Sequence, residues 1–288
     1  MPADEPGVLV HGQSSLNLQR IRNGRVAPGW PLVFGAVWLV LAIVFVALPW
    51  PAGTKALAVL HGLCAQQPTH SFYFGDQRLP FDARMTGIYG GFATASLVLL
   101  VAGRWRAGAF PPRGVVLSLV FGVVALAVDG ANSTLVDARL WHVYTPRNDL
   151  RLLTGLLVGT ALAVFVWLLI GQVGFARAGR RHGSPLTGWR DLGVVLLAQW
   201  LFALLVLSRW RPLWLPITVI LMAAAILALT GLMLAFVLLL GRRENRAIVT
   251  SDLAGPGTIA LFLALVMIGS LAAGRFLLEI WLGLPVQG

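Results

Sequence analysis

Seven stretches of the chain stay apolar for long enough to cross a hydrocarbon core of about 30 Å, which takes roughly 17 to 25 residues of α-helix. They lie near Pro31–Trp50, Thr86–Gly103, Val115–Ala131, Leu152–Phe175, Leu192–Ser208, Leu213–Leu240 and Thr258–Leu284. Apolar and polar positions do not alternate at period two within them, so an all-α polytopic bundle fits and a transmembrane barrel does not. The third and fifth runs are short for a span, and the sixth is long enough to tilt. The pattern predicts one transmembrane helical domain over residues 30–288, preceded by a segment at 1–29 and carrying long loops at 51–85 and 132–151.

Composition agrees, since 58% of the residues are hydrophobic and 11% are charged, a balance that leaves little to solvate a water-exposed surface. The net charge of +11 raises nucleic acid as a partner. The basic residues sit at helix ends and in short loops, without the concentrated patch that a phosphate backbone needs, and that partner is set aside. Topology accounts for the charge better. With the N-terminus in the cytoplasm, the inner segments carry Arg20, Arg22, Arg25, Arg104, Arg106, Arg113, Arg177, Arg180, Arg181, Arg190, Arg242, Arg243 and Arg246. The outer segments carry the smaller set Lys55, Arg78, Arg84, Arg139, Arg147, Arg151, Arg209 and Arg211, so the expectation is N-in and C-out in a plasma (inner) membrane. Residues 1–29 show no apolar core followed by a small-residue cleavage site, so the first span is expected to remain as an anchor. Trp30, Trp50, Trp105, Trp210, Trp214 and Trp281 fall near span ends and read as an interfacial belt.

Ionisable groups inside a bilayer are expensive unless paired or hydrated, and here they gather on one side. Asp82 and Arg84 precede the second span at its outer end, and Asp129 and Asn132 close the third. Asn148, Asp149 and Arg151 lead into the fourth, while Arg275 and Glu279 occupy the outer third of the seventh. Arg275 and Glu279 are four apart on one helix and form either a local ion pair or, with Arg275 turned inward, a counterweight to Asp82 or Asp129. The segments "PFDARMTGIYGG" and "PRNDLRLLTGLLVG" echo one another: each has Pro, an acidic residue, Arg, a Thr-Gly pair and a second Gly four residues on. The echo suggests two parallel units of two helices, with Gly87, Gly91, Gly155 and Gly159 allowing close helix approach. Thr86 and Thr154 would bond backbone groups near the helix starts. Arg84 and Arg151 would then meet, requiring carboxylates or an anionic ligand between them.

The loop "HGLCAQQPTHSFYFGDQRLPFDARMTGIYGG" concentrates the remaining chemistry. His61 and Cys64 are three apart on an expected short helix, and with His70 and Asp82 they compose a sparse donor set for a transition metal. The alternative is that Cys64 is a small buried hydrophobe and the histidines are ordinary loop residues. With Cys64 the sole cysteine, no internal disulfide can form. The chain has no zinc-protease His-Glu-x-x-His, no phosphate-binding Gly loop and no Ser-His-Asp signature.

The same loop resembles a family of uncharacterised predicted prokaryotic membrane proteins. That family is marked by Cys-His-Gln, then Pro-x-Arg-Ser-Phe, then Cys-Ala-Arg-Cys-Thr-Gly-Ile-Tyr. Here the segments read Cys64-Ala65-Gln66, Pro68-Thr69-His70-Ser71-Phe72 and Asp82-Ala83-Arg84-Met85-Thr86-Gly87-Ile88-Tyr89. "VDGANST" and "PRNDLRLLTGLLVG" are similar to its second half, so the resemblance spans roughly residues 55 to 165. Three thiol or imidazole positions of the pattern are Ala65, Asp82 and Met85 here, and its Arg after Pro is His70. The resemblance implies a shared architectural role for Cys64, Gln66, Arg84, Thr86, Gly87 and Tyr89.

The residues therefore suggest an accessory or structural membrane subunit. Its outer polar cluster, Asp82, Arg84, Thr86, Tyr89, Asp129, Asn132, Asn148, Arg151, Thr154, Arg275 and Glu279, would bind a membrane protein partner, a lipid or a cofactor headgroup. A metal-dependent or redox enzyme at the outer face, built on His61, Cys64, His70 and Asp82, is the alternative. A transporter is the third reading, with Asp129, Arg275 and Glu279 lining a path.

Overall fold

The structure, a computed structural model, describes residues 29–283. In chain order its elements are helices α1 (Trp30–Ala47) and α2 (Ala52–Leu60), strands β1 (Ser71–Phe74) and β2 (Gln77–Asp82), and then helices α3 (Ala83–Val101), α4 (Arg113–Asp137), α5 (Asn148–Leu169), α6 (Trp189–Leu207), α7 (Trp214–Leu240) and α8 (Ala254–Trp281). All of these helices except α2 are long and apolar enough to cross a membrane, giving seven candidate spans among the described residues. The segment expected at 1–29 lies outside the described residues apart from Gly29, as does Leu284 at the expected end of the last span.

Helices α3, α5 and α7 form the centre, with α6 against α3, α4 against α5, α8 against α7 and α1 on α8. The tightest contact is between α3 and α5, where the glycines of the two Thr-Gly segments face each other. A Cβ on Gly87 would stand 2.3 Å from the Leu152 carbonyl, and one on Gly155 would stand 2.4 Å from the Arg84 carbonyl. One turn on, Gly91 meets the Leu156 carbonyl at 2.4 Å and Gly159 meets the Ile88 carbonyl at 2.3 Å. Each helix thus offers its partner the same positions, and the two run parallel. The outer pairs keep that relation, since α4 packs on α5 as α6 packs on α3. The equivalence of the two Thr-Gly helix starts expected from the sequence echo is therefore present at this contact.

The long polar loop folds into a plug. β1 and β2 pair antiparallel with Tyr73 opposite Arg78 and Phe74 opposite Gln77, closed by a turn in which Gly75 takes the left-handed φ of 67°. Phe72, Phe74, Leu79 and Phe81 are buried against the bundle core, while Tyr73 points outward. Trp214 Nε1 donates to the Arg78 carbonyl at 2.9 Å and ties the hairpin to α7. Lys55 on α2, itself buried, donates to the Phe45 carbonyl at 2.6 Å and so closes the C-terminal end of α1.

Several boundaries differ from the sequence reading. The expected amphipathic helix through His61 and Cys64 stops at Leu60. The reason is close approach: a Cβ on Gly62 would stand 2.4 Å from Ala272 N, so the chain leaves the helix to lie on α8. Helix α4 runs on to Asp137, which places Asn132 within a helix and leaves a shorter loop behind it. Of the supposed belt, Trp105 packs edge-on against Trp167 and Phe175, and Trp214 is the hairpin tie.

At the seam, Gly155→Ala should cost about 1–3 kcal/mol of stability, because backbone cannot yield as a flexible side chain would. Gly130→Ala, which faces open space, should be neutral or stabilising by up to about 1 kcal/mol. Thermal unfolding of the purified variants checks the contrast, and equal effects would dispose of the seam.

Candidate functional site

At the hairpin end, the N-termini of α3 and α5 lie side by side and α4 closes over them. Asp129, Asn132 and Ser133 are spaced three and four apart on α4, so they share the face turned to those two helices. Arg84, in the first turn of α3, donates through Nη2 to Asp129 Oδ2 at 2.7 Å and to Ser133 Oγ at 3.2 Å. Asp129 is 1% exposed, and its other oxygen accepts from the Tyr144 hydroxyl at 2.8 Å. Burial, together with this bond to a carboxylate, pushes the Tyr144 phenol up to about 12. Asn132 holds the loop that delivers Tyr144, donating to the Tyr144 carbonyl and accepting from Val143 N, each at 2.8 Å.

Arg151, in the first turn of α5, enters the same cluster. Its Nη1 donates to Asn148 Oδ1 at 2.9 Å, and its Nη2 lies 3.3 Å from His70 Nε2 and 3.4 Å from Ser133 Oγ. Both arginines therefore reach the Ser133 hydroxyl, so the two come close to one another. Burial, and then the Arg151 charge, lower the His70 pKa. Asn148 Nδ2 donates to the Thr69 carbonyl at 3.1 Å and joins α5 to the hairpin loop.

A second network lies where α8 passes the loop after α2. Gln66 donates through Nε2 to the Leu57 and Pro80 carbonyls, which leaves Oε1 to face His61 Nδ1 at 3.1 Å. His61 Nε2 faces Glu279 Oε2 at 2.9 Å, and the ring stacks on Phe276. Both ring nitrogens thus face side-chain oxygens. Arg275 donates to Glu279 Oε1 at 2.8 Å and also to the His61, Cys64 and Ala65 carbonyls. The local Arg275–Glu279 pair is thus the arrangement found, and it clamps the loop. A groove of about 550 Å³ borders it, lined by Gly62, Leu63, Cys64, Ala65, Arg275, Leu278 and Glu279.

The expected polar cluster is divided. Arg84, Asp129, Asn132, Asn148 and Arg151 come together, and Arg275 and Glu279 belong to the second network. Asp82 caps α3, accepting from Met85 N at 2.9 Å. Thr86 and Thr154 bond the Phe81 and Leu150 carbonyls at their own helix starts. Tyr89 is buried and stacks on Phe81 in the core, away from both networks. The four metal candidates do not converge either: His61 sits with Glu279, His70 with Arg151 and Asp82 at its cap. Among the described residues, no group of three or more His, Cys, Asp or Glu is placed to hold a metal. Cys64 Sγ accepts from Gln66 N at 3.3 Å and Asp82 N at 3.4 Å, and burial, then the Asp82 charge, push the thiol up to about 12. Sequence reasoning missed Ser133 and Tyr144. Ser133 lies one helical turn beyond Asp129 and could have been found by that spacing, whereas Tyr144 is delivered by a loop and has no such signal.

The fold and this buried polar end define a multi-pass helical membrane protein. Residues 64–165 match the family model described as Predicted membrane protein (DUF2085), and the match runs from the loop cysteine through α3 and α4 into α5. Neither a curated protein nor a solved structure matches the chain.

Truncating one partner of the buried pair leaves the other charge stranded. Asp129→Ala should cost about 3 kcal/mol, whereas Tyr144→Phe, which removes one hydrogen bond to a charged group, should cost about 1.5 kcal/mol. Chemical denaturation in detergent micelles reads both, and a harmless Asp129→Ala would mean that the pair does not hold the helices. The Cys64 thiol binds its proton more tightly folded than unfolded, so its contribution is intact below the free-thiol pKa and is lost as pH rises towards about 12. Cys64→Ser should flatten the fall in stability over that alkaline window. An unchanged slope in unfolding experiments against pH would contradict the assignment.

Proposed function

We propose that this protein is an accessory or structural subunit of a prokaryotic plasma-membrane assembly, holding a partner through the polar cluster at its hairpin end. In this reading the hairpin end faces outward and the N-terminus is cytoplasmic. The arginine-rich loops at the opposite end, carrying Arg104, Arg106, Arg177, Arg180, Arg242 and Arg243, support that orientation.

The observation that carries the proposal is the use of Asp129. A buried carboxylate that commits one oxygen to Arg84 and the other to Tyr144 is built into a scaffold, where it fixes three segments against one another. Cys64, kept a thiol by burial and fixed in place by two backbone N–H groups that donate to its sulfur, is likewise a structural joint. A rigid polar end on an apolar bundle suits docking, because the surface is ordered before the partner arrives.

Gentle solubilisation from the native membrane, followed by intact mass spectrometry, tests the proposal. The expected result is a reproducible second subunit, or a retained lipid or cofactor, at defined stoichiometry. A bare monomer from repeated preparations would overturn it.

A further inference from the structure

We propose that Arg151 and Arg84, with the Ser133 hydroxyl between them, form a binding site for a phosphate group, either free or carried on a lipid headgroup. The inference names a ligand class for the polar cluster and rests on the reading of that cluster as a binding face.

The argument starts from charge. Arg151 is 6% exposed, yet its hydrogen bonds go to Asn148, His70 and Ser133, which are neutral groups. A buried guanidinium without a carboxylate in contact is costly, and an anion beside it removes most of that cost. Arg84 has Asp129 on Nη2, but its buried Nε has no partner among the described residues. Both cations sit in the first turns of parallel helices, whose N-terminal ends already carry partial positive charge. None of the nearby acids is in contact with Arg151. Asp149 pairs with Arg147, Asp82 caps α3, and Asp129 and Asp137 act on Arg151 only through space.

Geometry then selects the ligand. Two guanidinium groups reach one hydroxyl from different helices, so their donors converge on a point from separate directions. That arrangement suits a tetrahedral oxyanion, which accepts from several sides at once. The position at the end of two candidate spans puts it at the depth of a phosphodiester headgroup, and a free phosphate can reach it through the part of Arg84 left exposed.

The test uses the full chain purified in zwitterionic lipid. Thermal unfolding is followed as inorganic phosphate replaces chloride at matched ionic strength, and separately in bilayer discs with and without phosphatidylglycerol. Saturable stabilisation by a few degrees is expected in at least one arm. A response to both phosphate and lipid assigns a general phosphate site, and a response to the lipid alone assigns a headgroup site. Arg151→Gln should weaken the response by about tenfold or more, while Arg147→Gln, already paired with Asp149, should leave it unchanged. Should Arg151→Gln not fold, Ser133→Asp decides: its own carboxylate between the arginines should raise the unfolding temperature and abolish the phosphate response. The site is overturned by a wild-type protein that responds in neither arm, or by Arg151→Gln or Ser133→Asp responding as strongly as wild type. A chain that keeps a partner but ignores phosphate loses this site alone. A solitary monomer that responds to phosphate loses the subunit role alone.

Discussion

The backbone-to-backbone approach of α3 and α5 is the constraint on which the rest depends. Lipid supplies no hydrophobic force between helices, so close packing has to hold them, and glycine is what permits it. Gly87, Gly91, Gly155 and Gly159 bring the two helices so near that a methyl group would strike a carbonyl at each position. That seam has an electrostatic consequence. It sets Arg84 and Arg151 beside one another at the start of parallel helices, where neither the neighbour nor the helix dipole favours a cation.

Helix α4 supplies the compensation. It presents Asp129 to Arg84 and Ser133 to both arginines, and Asn132 draws in the loop that adds Tyr144. Compensation is incomplete at Arg151, and this incompleteness points to a ligand. The same economy governs the other joints, where Lys55 satisfies the free carbonyls of α1 and Arg275 those of the loop after α2. Polar side chains near the bilayer thus fasten backbone ends that water does not reach.

The spans were legible because a long uncharged apolar run has few alternatives, and the paired Thr-Gly segments were legible because sequence repetition reports structural repetition. The meeting of Arg84, Asp129 and Arg151 followed from those two readings together. Tyr144 was not legible, since loop closure through Asn132 depends on contacts at both ends of the loop. The division of the polar residues was hidden for a related reason. Asp82, Arg275 and Arg84 were expected at one level, but level along the membrane does not specify which helix stands next to which. The supposed ligand set dispersed because Gly62 packs on α8 and turns His61 towards Glu279.

By itself the sequence determined that this chain is a helical membrane bundle, because hydropathy and helix length are local properties. It also determined that two helix starts would be equivalent. Tertiary structure alone decided the pairings: Arg84 with Asp129, Arg275 with Glu279 and three loop carbonyls, and Arg151 with none but neutral groups. Those pairings rest on interhelical distance and rotation, which composition and spacing leave open and which close glycine packing settles.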